Sequence, residues 1–138
     1  GMVQLGRDAP STRLIDQTPE GWAYGIDINL NSAFLMTRAV LGGMVARGYG
    51  RIIHMSSVTG PVVGIPGSAT YAAAKAGLHG ASKSLAIELA SRGITVNVVA
   101  PGLIESPSTR NNSDISGCWL VQSASLPGKA GPCTTRCE

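Results

Sequence analysis

Two apolar runs on either side of one long helical pattern decide the fold. The first is Arg51-Ile52-Ile53-His54-Met55-Ser56-Ser57; the second is Ile94-Thr95-Val96-Asn97-Val98-Val99-Ala100, stopped by Pro101-Gly102. The first reads as a short buried strand over 51–57. The second is β-branched along most of its length and reads as a central strand of a parallel sheet. Between them, 58–67 is rich in glycine and proline and forms a loop. From about Ala69 to Arg92, Leu78, Ala81, Leu85 and Leu89 return at three- and four-residue steps, the period of a helix face, and Gly93 closes it. A strand, a long helix and a second strand in that order imply a right-handed parallel crossover. Such a unit is a piece of a doubly wound α/β sheet, in which ligands bind outside the carboxyl ends of the strands. Ser57 and Pro101-Gly102 both fall on that edge.

Upstream, Thr18-Pro19-Glu20 has the chemistry of a helix start. A threonine hydroxyl can accept an orphan backbone N–H, proline suits the first helical position, and a carboxylate favours the positive end of the helix dipole. Trp22, Ile26, Leu30 and Phe34, then Val40, Leu41, Met44 and Val45, follow helical spacing as far as Arg47-Gly48. A helix of that length predicts a kink or break, placed near Asn29. Residues 1–17 read as a loop. After about Ser106 the pattern fades, and 107–138 read as an irregular or disordered tail with at most one short helix near Trp119-Leu120-Val121.

Composition narrows the classes. Glycine (18) and proline (8) make up about a fifth of the 138 residues without a collagen period, and only 14% are charged while 43% are apolar, which argues against bulk disorder. No apolar run approaches the ~18 residues of a membrane span, so no membrane partner is expected. The 11 basic residues are scattered rather than clustered, so the pI near 9.0 does not predict a nucleic-acid partner. The opening Gly1-Met2-Val3-Gln4 has neither the basic segment nor the apolar run of a signal peptide, and Cys118, Cys133 and Cys137 all lie outside the patterned region. Both features predict a reduced, cytoplasmic chain. Those cysteines lack a paired second half for a metal site. Ser57 lacks a Gly-x-Ser-x-Gly setting, and neither His54 nor His79 has an evident acidic partner, so a serine hydrolase is not expected. His54 reads as a packing or edge residue of its strand.

The chemistry concentrates on one helical turn. Tyr71 and Lys75 are four apart and share a face. An ammonium beside a phenol stabilises the phenolate, and a tyrosine tuned in this way can give or take a proton near neutral pH. Ser57 can hydrogen-bond the same substrate oxygen, and Asn29, at the break in the first helix, could hold a water that relays protons towards Lys75. Singly these residues read as a packing tyrosine, a strand-end hydroxyl and a helix-interrupting asparagine. It is their joint placement on one sheet edge that points to a site.

Four segments together resemble the short-chain dehydrogenase/reductase family over about residues 1–106. They are Asn29-Leu30-Asn31-Ser32-Ala33-Phe34, the strand ending in Ser56-Ser57, Tyr71-Ala72-Ala73-Ala74-Lys75-Ala76-Gly77, and Asn97-Val98-Val99-Ala100-Pro101-Gly102. Arg92-Gly93-Ile94-Thr95-Val96-Asn97 and Pro101-Gly102-Leu103-Ile104-Glu105 look closest to its 3-oxoacyl-[acyl-carrier-protein] reductase branch. The resemblance implies a Rossmann-like domain that transfers hydride between NADP or NAD and a carbonyl or secondary alcohol, small-molecule or acyl-carrier-linked. It makes Tyr71 the general acid/base. Lys75 becomes its tuning residue and the holder of the nicotinamide ribose. Ser57 orients the carbonyl, with Ser56 the less favoured neighbour, and Asn29 is the fourth member of the set. Pro101, Gly102 and Ile104 fall beside the nicotinamide. It also implies a homo-oligomer built through the two long helices.

The family's glycine-rich turn after a first strand, which lets backbone approach a pyrophosphate, has no counterpart here. Gly60, Gly64 and Gly67 follow the catalytic strand instead, with the wrong spacing. Such domains run to roughly 200–250 residues. The expectation is therefore a catalytic half lacking the dinucleotide-binding half and ending in an atypical tail. The alternative is a non-enzymatic remnant that only folds or self-associates.

Overall fold

The computed structural model describes residues 13–102 in full and the backbone of 119–123. The elements, in chain order, are α1 (Pro19–Ile26), a π-helical turn (Asp27–Asn31), α2 (Ser32–Arg47), β1 (Gly50–Met55), α3 (Ala69–Leu89), β2 (Ile94–Pro101) and β3 (Trp119–Ser123). Short 3-10 turns precede α1 at Leu14–Asp16 and follow α3 at Ala90–Arg92.

The helix ends follow from residue chemistry. Thr18 Oγ1 accepts from the Gly21 amide at 3.0 Å, capping α1 ahead of Pro19. Gly48 ends α2 in the left-handed region (φ 63°), and Gly93 does the same after α3 (φ 70°). A β-carbon on Gly93 would strike the Gly48 carbonyl oxygen, so the two helix exits are packed against each other at a point where only hydrogen fits. The break expected near Asn29 is the π-turn. There three polar side chains fold back onto the helix: Asn29 Nδ2 donates to the Gly25 carbonyl (3.0 Å), Asn31 Nδ2 to Asp27 Oδ1, and Ser32 Oγ to the Ile28 carbonyl (2.9 Å). Asn29 and Ser32 compete for backbone acceptors, which loosens a regular α-ladder, and single π-turns cluster at functional sites.

β1 and β2 run parallel, in register from Gly50 opposite Ile94 to Met55 opposite Val99, with α3 as the crossover between them. The doubly wound, Rossmann-like reading holds for this portion of the domain. The strands are not buried on both faces, however. Ile52, Ile94 and Val96 pack with Ala86 and Leu89 of α3, and Leu41, Met44 and Val45 of α2 close the same cluster. On the other face Ile53 and Met55 are exposed, at 62% and 55%. The strand pattern is therefore alternating, because among the described residues α2 and α3 cover a single face.

The region near Trp119, expected to be irregular or at most a short helix, is a strand. β3 pairs antiparallel with β2, Pro101 opposite Trp119 and Asn97 opposite Ser123. The reason is tertiary. β2 would otherwise present a row of unpaired N–H and C=O groups, and a Trp-Leu-Val segment has the side chains that suit a strand. The remainder of the tail, residues 103–118 and 124–138, and the loop over 1–12 lie outside the described residues.

One polar device runs through the core. His54 on β1 is buried and bonded on both ring nitrogens, Nε2 to Thr37 Oγ1 of α2 (2.9 Å) and Nδ1 to Ser82 Oγ of α3 (2.7 Å). The Ser82 hydroxyl donates to the Leu78 carbonyl at 2.6 Å, so it accepts from His54 Nδ1–H. Nε2 is then the acceptor, and the Thr37 hydroxyl donates to it. Burial lowers the His54 pKa, which keeps the ring neutral and this pattern intact. The residue read as packing or edge is thus a three-element tie whose partners lie 17 and 28 positions away.

Candidate active site

The carboxyl edge of the two parallel strands collects most of the candidate residues. β1 ends at Met55, and the chain stays pinned to β2 for three more residues: the Ser56 amide donates to the Val99 carbonyl (2.7 Å) and the Val58 amide to the Pro101 carbonyl (3.1 Å). Ser57 therefore sits at the end of β2, half-buried, beside the Pro101-Gly102 segment. Its Oγ accepts from the Thr59 amide at 3.1 Å, which leaves its hydroxyl proton free to be offered elsewhere.

The loop beyond Ser57 is stitched to itself. The Val62 and Val63 amides both donate to the Val58 carbonyl, and the Gly60 amide donates to the Val63 carbonyl. Gly60 has φ 106°, and a β-carbon there would strike the Ala72 carbonyl oxygen. The loop thus lies directly on the first turn of α3, next to Tyr71. A glycine is required there for close packing, not for cradling a phosphate.

Tyr71 is the third residue of α3 and Lys75 follows one turn later. Lys75 Nζ lies 5.5 Å from the Tyr71 ring centre and donates to the Met55 carbonyl at 2.9 Å. Burial alone pushes the Lys75 ammonium below the ordinary lysine range, since its contacts are a neutral carbonyl and a ring face rather than a carboxylate. Ser56, also buried, donates from Oγ to the Lys75 backbone carbonyl at 2.9 Å.

Asn29 reaches this region through packing of its helix. Gly25 abuts the Thr70 side chain, and a β-carbon on Gly77 would lie 3.2 Å from Leu30, so the π-turn runs alongside the Tyr71–Lys75 turn. The Asn29 side-chain amide is engaged with Gly25 and makes no hydrogen bond to Tyr71 or Lys75. Tyr71, Lys75, Ser57 and Pro101-Gly102 are thus gathered at one edge, with the Asn29 segment flanking them. Ile104 lies outside the described residues. Sequence reasoning missed Ser56 as a contact of Lys75; its only signal was its place at the end of the strand facing the helix. Among the described residues no group of three or more His, Cys, Asp or Glu could hold a metal, and no helix is long and apolar enough to cross a membrane.

A strand-end serine, a tyrosine–lysine turn at the start of the crossover helix and a Pro-Gly exit from the next strand thus share one edge of a Rossmann-like α/β unit. Residues 6–116 match the short chain dehydrogenase family, and the chain belongs to it. It is 54% identical over 101 residues to the 3-oxoacyl-[acyl-carrier-protein] reductase FabG of Escherichia coli (strain K12), an alignment covering 73% of this chain and 41% of that protein. It is 50% identical over 102 residues to the acetoacetyl-CoA reductase of Allochromatium vinosum, covering 70% and 41%. Among solved structures, it is similar to a gluconate 5-dehydrogenase from Burkholderia cenocepacia J2315 in complex with NADP and tartrate. That match has a TM-score of 0.68 at 32% identity over 77% of this chain and 41% of the other. The chain spans about two fifths of the length of the relatives it matches.

Proposed function

We propose that the chain carries the acid–base half of an NAD(P)-dependent oxidoreductase that interconverts a carbonyl and a secondary alcohol, with a 3-oxoacyl thioester on a carrier as the preferred substrate. The observation that carries this reading is the Tyr71–Lys75 turn, with the ammonium 5.5 Å over the phenol ring, on the sheet edge shared by Ser57 and Pro101. The substrate class rests on the similarity to 3-oxoacyl-carrier and acetoacetyl-CoA reductases. The setting that suits it is cytoplasmic.

The residues present fit the nicotinamide end of a dinucleotide. Lys75 offers a half-buried ammonium whose donors are only partly used, and Pro101-Gly102 supplies backbone on the same sheet edge. Among the described residues no glycine-rich strand–turn–helix offers a cradle for the pyrophosphate, and Gly60 is already packed on Ala72. When bound, the nicotinamide supplies or accepts the hydride. Ser57 donates a hydrogen bond to the substrate oxygen and orients it. Tyr71 gives that oxygen its phenolic proton as carbon is reduced, and takes it back in oxidation. Lys75 holds positive charge beside the phenol and would hold the ribose of a bound nicotinamide, and Asn29 would order a water on the proton path.

Oxidation of NADPH by the full chain with acetoacetyl-CoA, followed optically, tests this. Turnover that falls by about a hundredfold or more in Tyr71→Phe is expected, the usual weight of a positioned general acid. Turnover retained in that variant overturns the assignment. A second reading, a folded or self-associating piece without turnover, is favoured by the exposed apolar side chains Phe34, Leu35, Met36 and Ile87. Calorimetry separates the two, because no heat of binding at millimolar NADP or NAD leaves only the second.

A further inference from the structure

We propose that Ser56 is a positioning residue for Lys75, one half of a two-point clasp by which the end of β1 sets how the lysine stands beside Tyr71. The clasp rests on two bonds between the adjacent residues Met55 and Ser56, at the carboxyl end of β1, and a single residue of α3. Ser56 Oγ donates to the Lys75 backbone carbonyl at 2.9 Å, and Lys75 Nζ donates to the Met55 backbone carbonyl at 2.9 Å. The lysine is held at its root and at its tip by residues adjacent in sequence.

Helix α3 does not need the Ser56 bond for its own ladder. In an α-helix the Lys75 carbonyl accepts from the amide four residues on, and its second lone pair is free for a further donor. Ser56 fills that second place from a buried position. Its own amide is tied to Val99 of β2 at 2.7 Å, so the hydroxyl projects from a fixed strand end rather than from a mobile loop. Removing the hydroxyl releases the Lys75 backbone from the strand end, so the Nζ–Met55 bond alone must hold a four-carbon stem whose rotamer freedom favours solvent.

The catalytic meaning of the clasp rests on reading Tyr71 and Lys75 as the acid–base pair, but the clasp itself can be tested without cofactor. The titratable and charged groups on the elements around Lys75 are Tyr71, His79, Lys83 and Glu88 on α3, Arg51 and His54 on β1, and Glu20, Tyr24 and Asp27 on α1 and the π-turn; the loop over 58–67 adds none. The contacts of Lys75 itself are the Met55 carbonyl and the Tyr71 ring.

The experiment is competitive acetylation of the full chain across pH, read by mass spectrometry at Lys75, with Lys83 on the same helix as an exposed internal reference. Ser56→Ala is expected to move the Lys75 titration up towards the ordinary lysine range and to raise its labelling, with the Lys83 profile unchanged. Ser56→Thr keeps a hydroxyl and is expected to restore the Lys75 profile. An unchanged Lys75 titration in a folded Ser56→Ala chain overturns the proposal. If Ser56→Ala does not fold, the unsubstituted chain decides: nuclear Overhauser contacts from the Ser56 side chain to the Lys75 backbone support the clasp, and their absence in a folded chain refutes it. A chain that binds no nicotinamide but shows the Ser56-dependent shift in Lys75 loses the oxidoreductase reading and keeps the clasp. One that turns over while Lys75 ignores Ser56 does the reverse.

Discussion

Tyr71 and Thr70 are consecutive residues with opposite fates. Tyr71 is half-buried beside the Lys75 ammonium, whereas Thr70 is buried against Gly25 with its hydroxyl unpartnered. A buried hydroxyl without a partner costs about 1–3 kcal/mol, so Thr70→Val, which keeps the shape, is expected to stabilise the fold by about 1 kcal/mol, read as a higher urea midpoint. His54 adds a pH dependence of definite sign. Its folded pKa lies below the unfolded value near 6.5, so the unfolded chain binds the proton more readily. The stability held by the neutral His54 tie is fully present above pH 6.5 and is lost as pH falls through the folded pKa. Urea midpoints measured between pH 8 and pH 5 should therefore drop on the acid side. A His54→Asn chain should lose that part of the slope; an identical slope in both would place the acid sensitivity elsewhere. None of this was legible in the sequence. A lone histidine in a strand pattern does not reveal a threonine 17 residues before it and a serine 28 residues after it.

Helix and strand boundaries were more readable, because their signals are local. The Thr18 cap, the Gly48 and Gly93 exits and the break at Asn29 all depend on the chemistry of a few neighbouring residues. The cost of changing them depends on what lies opposite. A β-carbon on Gly48 would meet nothing within 4 Å, whereas one on Gly93 would meet the Gly48 carbonyl. Gly48→Ala should therefore cost about 1 kcal/mol, the left-handed penalty alone, and Gly93→Ala distinctly more, both read from thermal or urea midpoints. Gly60→Ala combines positive φ with a clash onto Ala72. It is expected to lower stability by more than 1 kcal/mol, by about the same backbone penalty plus the clash, and to displace the Ser57 loop from Tyr71, reducing turnover. Equal midpoints for Gly48→Ala and Gly93→Ala would mean that the two helix exits are not packed as described.

The described residues leave much apolar surface uncovered. Phe34, Leu35 and Met36 of α2 are each more than half exposed, and Ile87 of α3 is 76% exposed. These side chains on the two long helices suit association with a second copy. Ile87→Glu is then expected to weaken a dimer by roughly 1.5–3 kcal/mol, the value of burying one such side chain, or about ten- to a hundredfold in dissociation constant by sedimentation. An unchanged association constant would direct attention to the open sheet face at Ile53 and Met55 instead.

Residue types at short spacing were enough to establish a helix, a strand, a crossover helix and a second strand, and to place Ser57, Tyr71, Lys75 and Pro101 on one edge. Periodicity, caps and breakers act within a turn or two of chain, and parallel crossovers have few topologies open to them. Tertiary structure alone decided that the sheet is covered on one face and that β3 pairs with β2. It also decided that Asn29 turns its side-chain Nδ2 to the Gly25 carbonyl and that Ser56 grips Lys75. Each of these outcomes depends on which donor meets which acceptor across elements distant in sequence, and a hydroxyl or an amide has several partners open to it until packing brings one within about 3 Å.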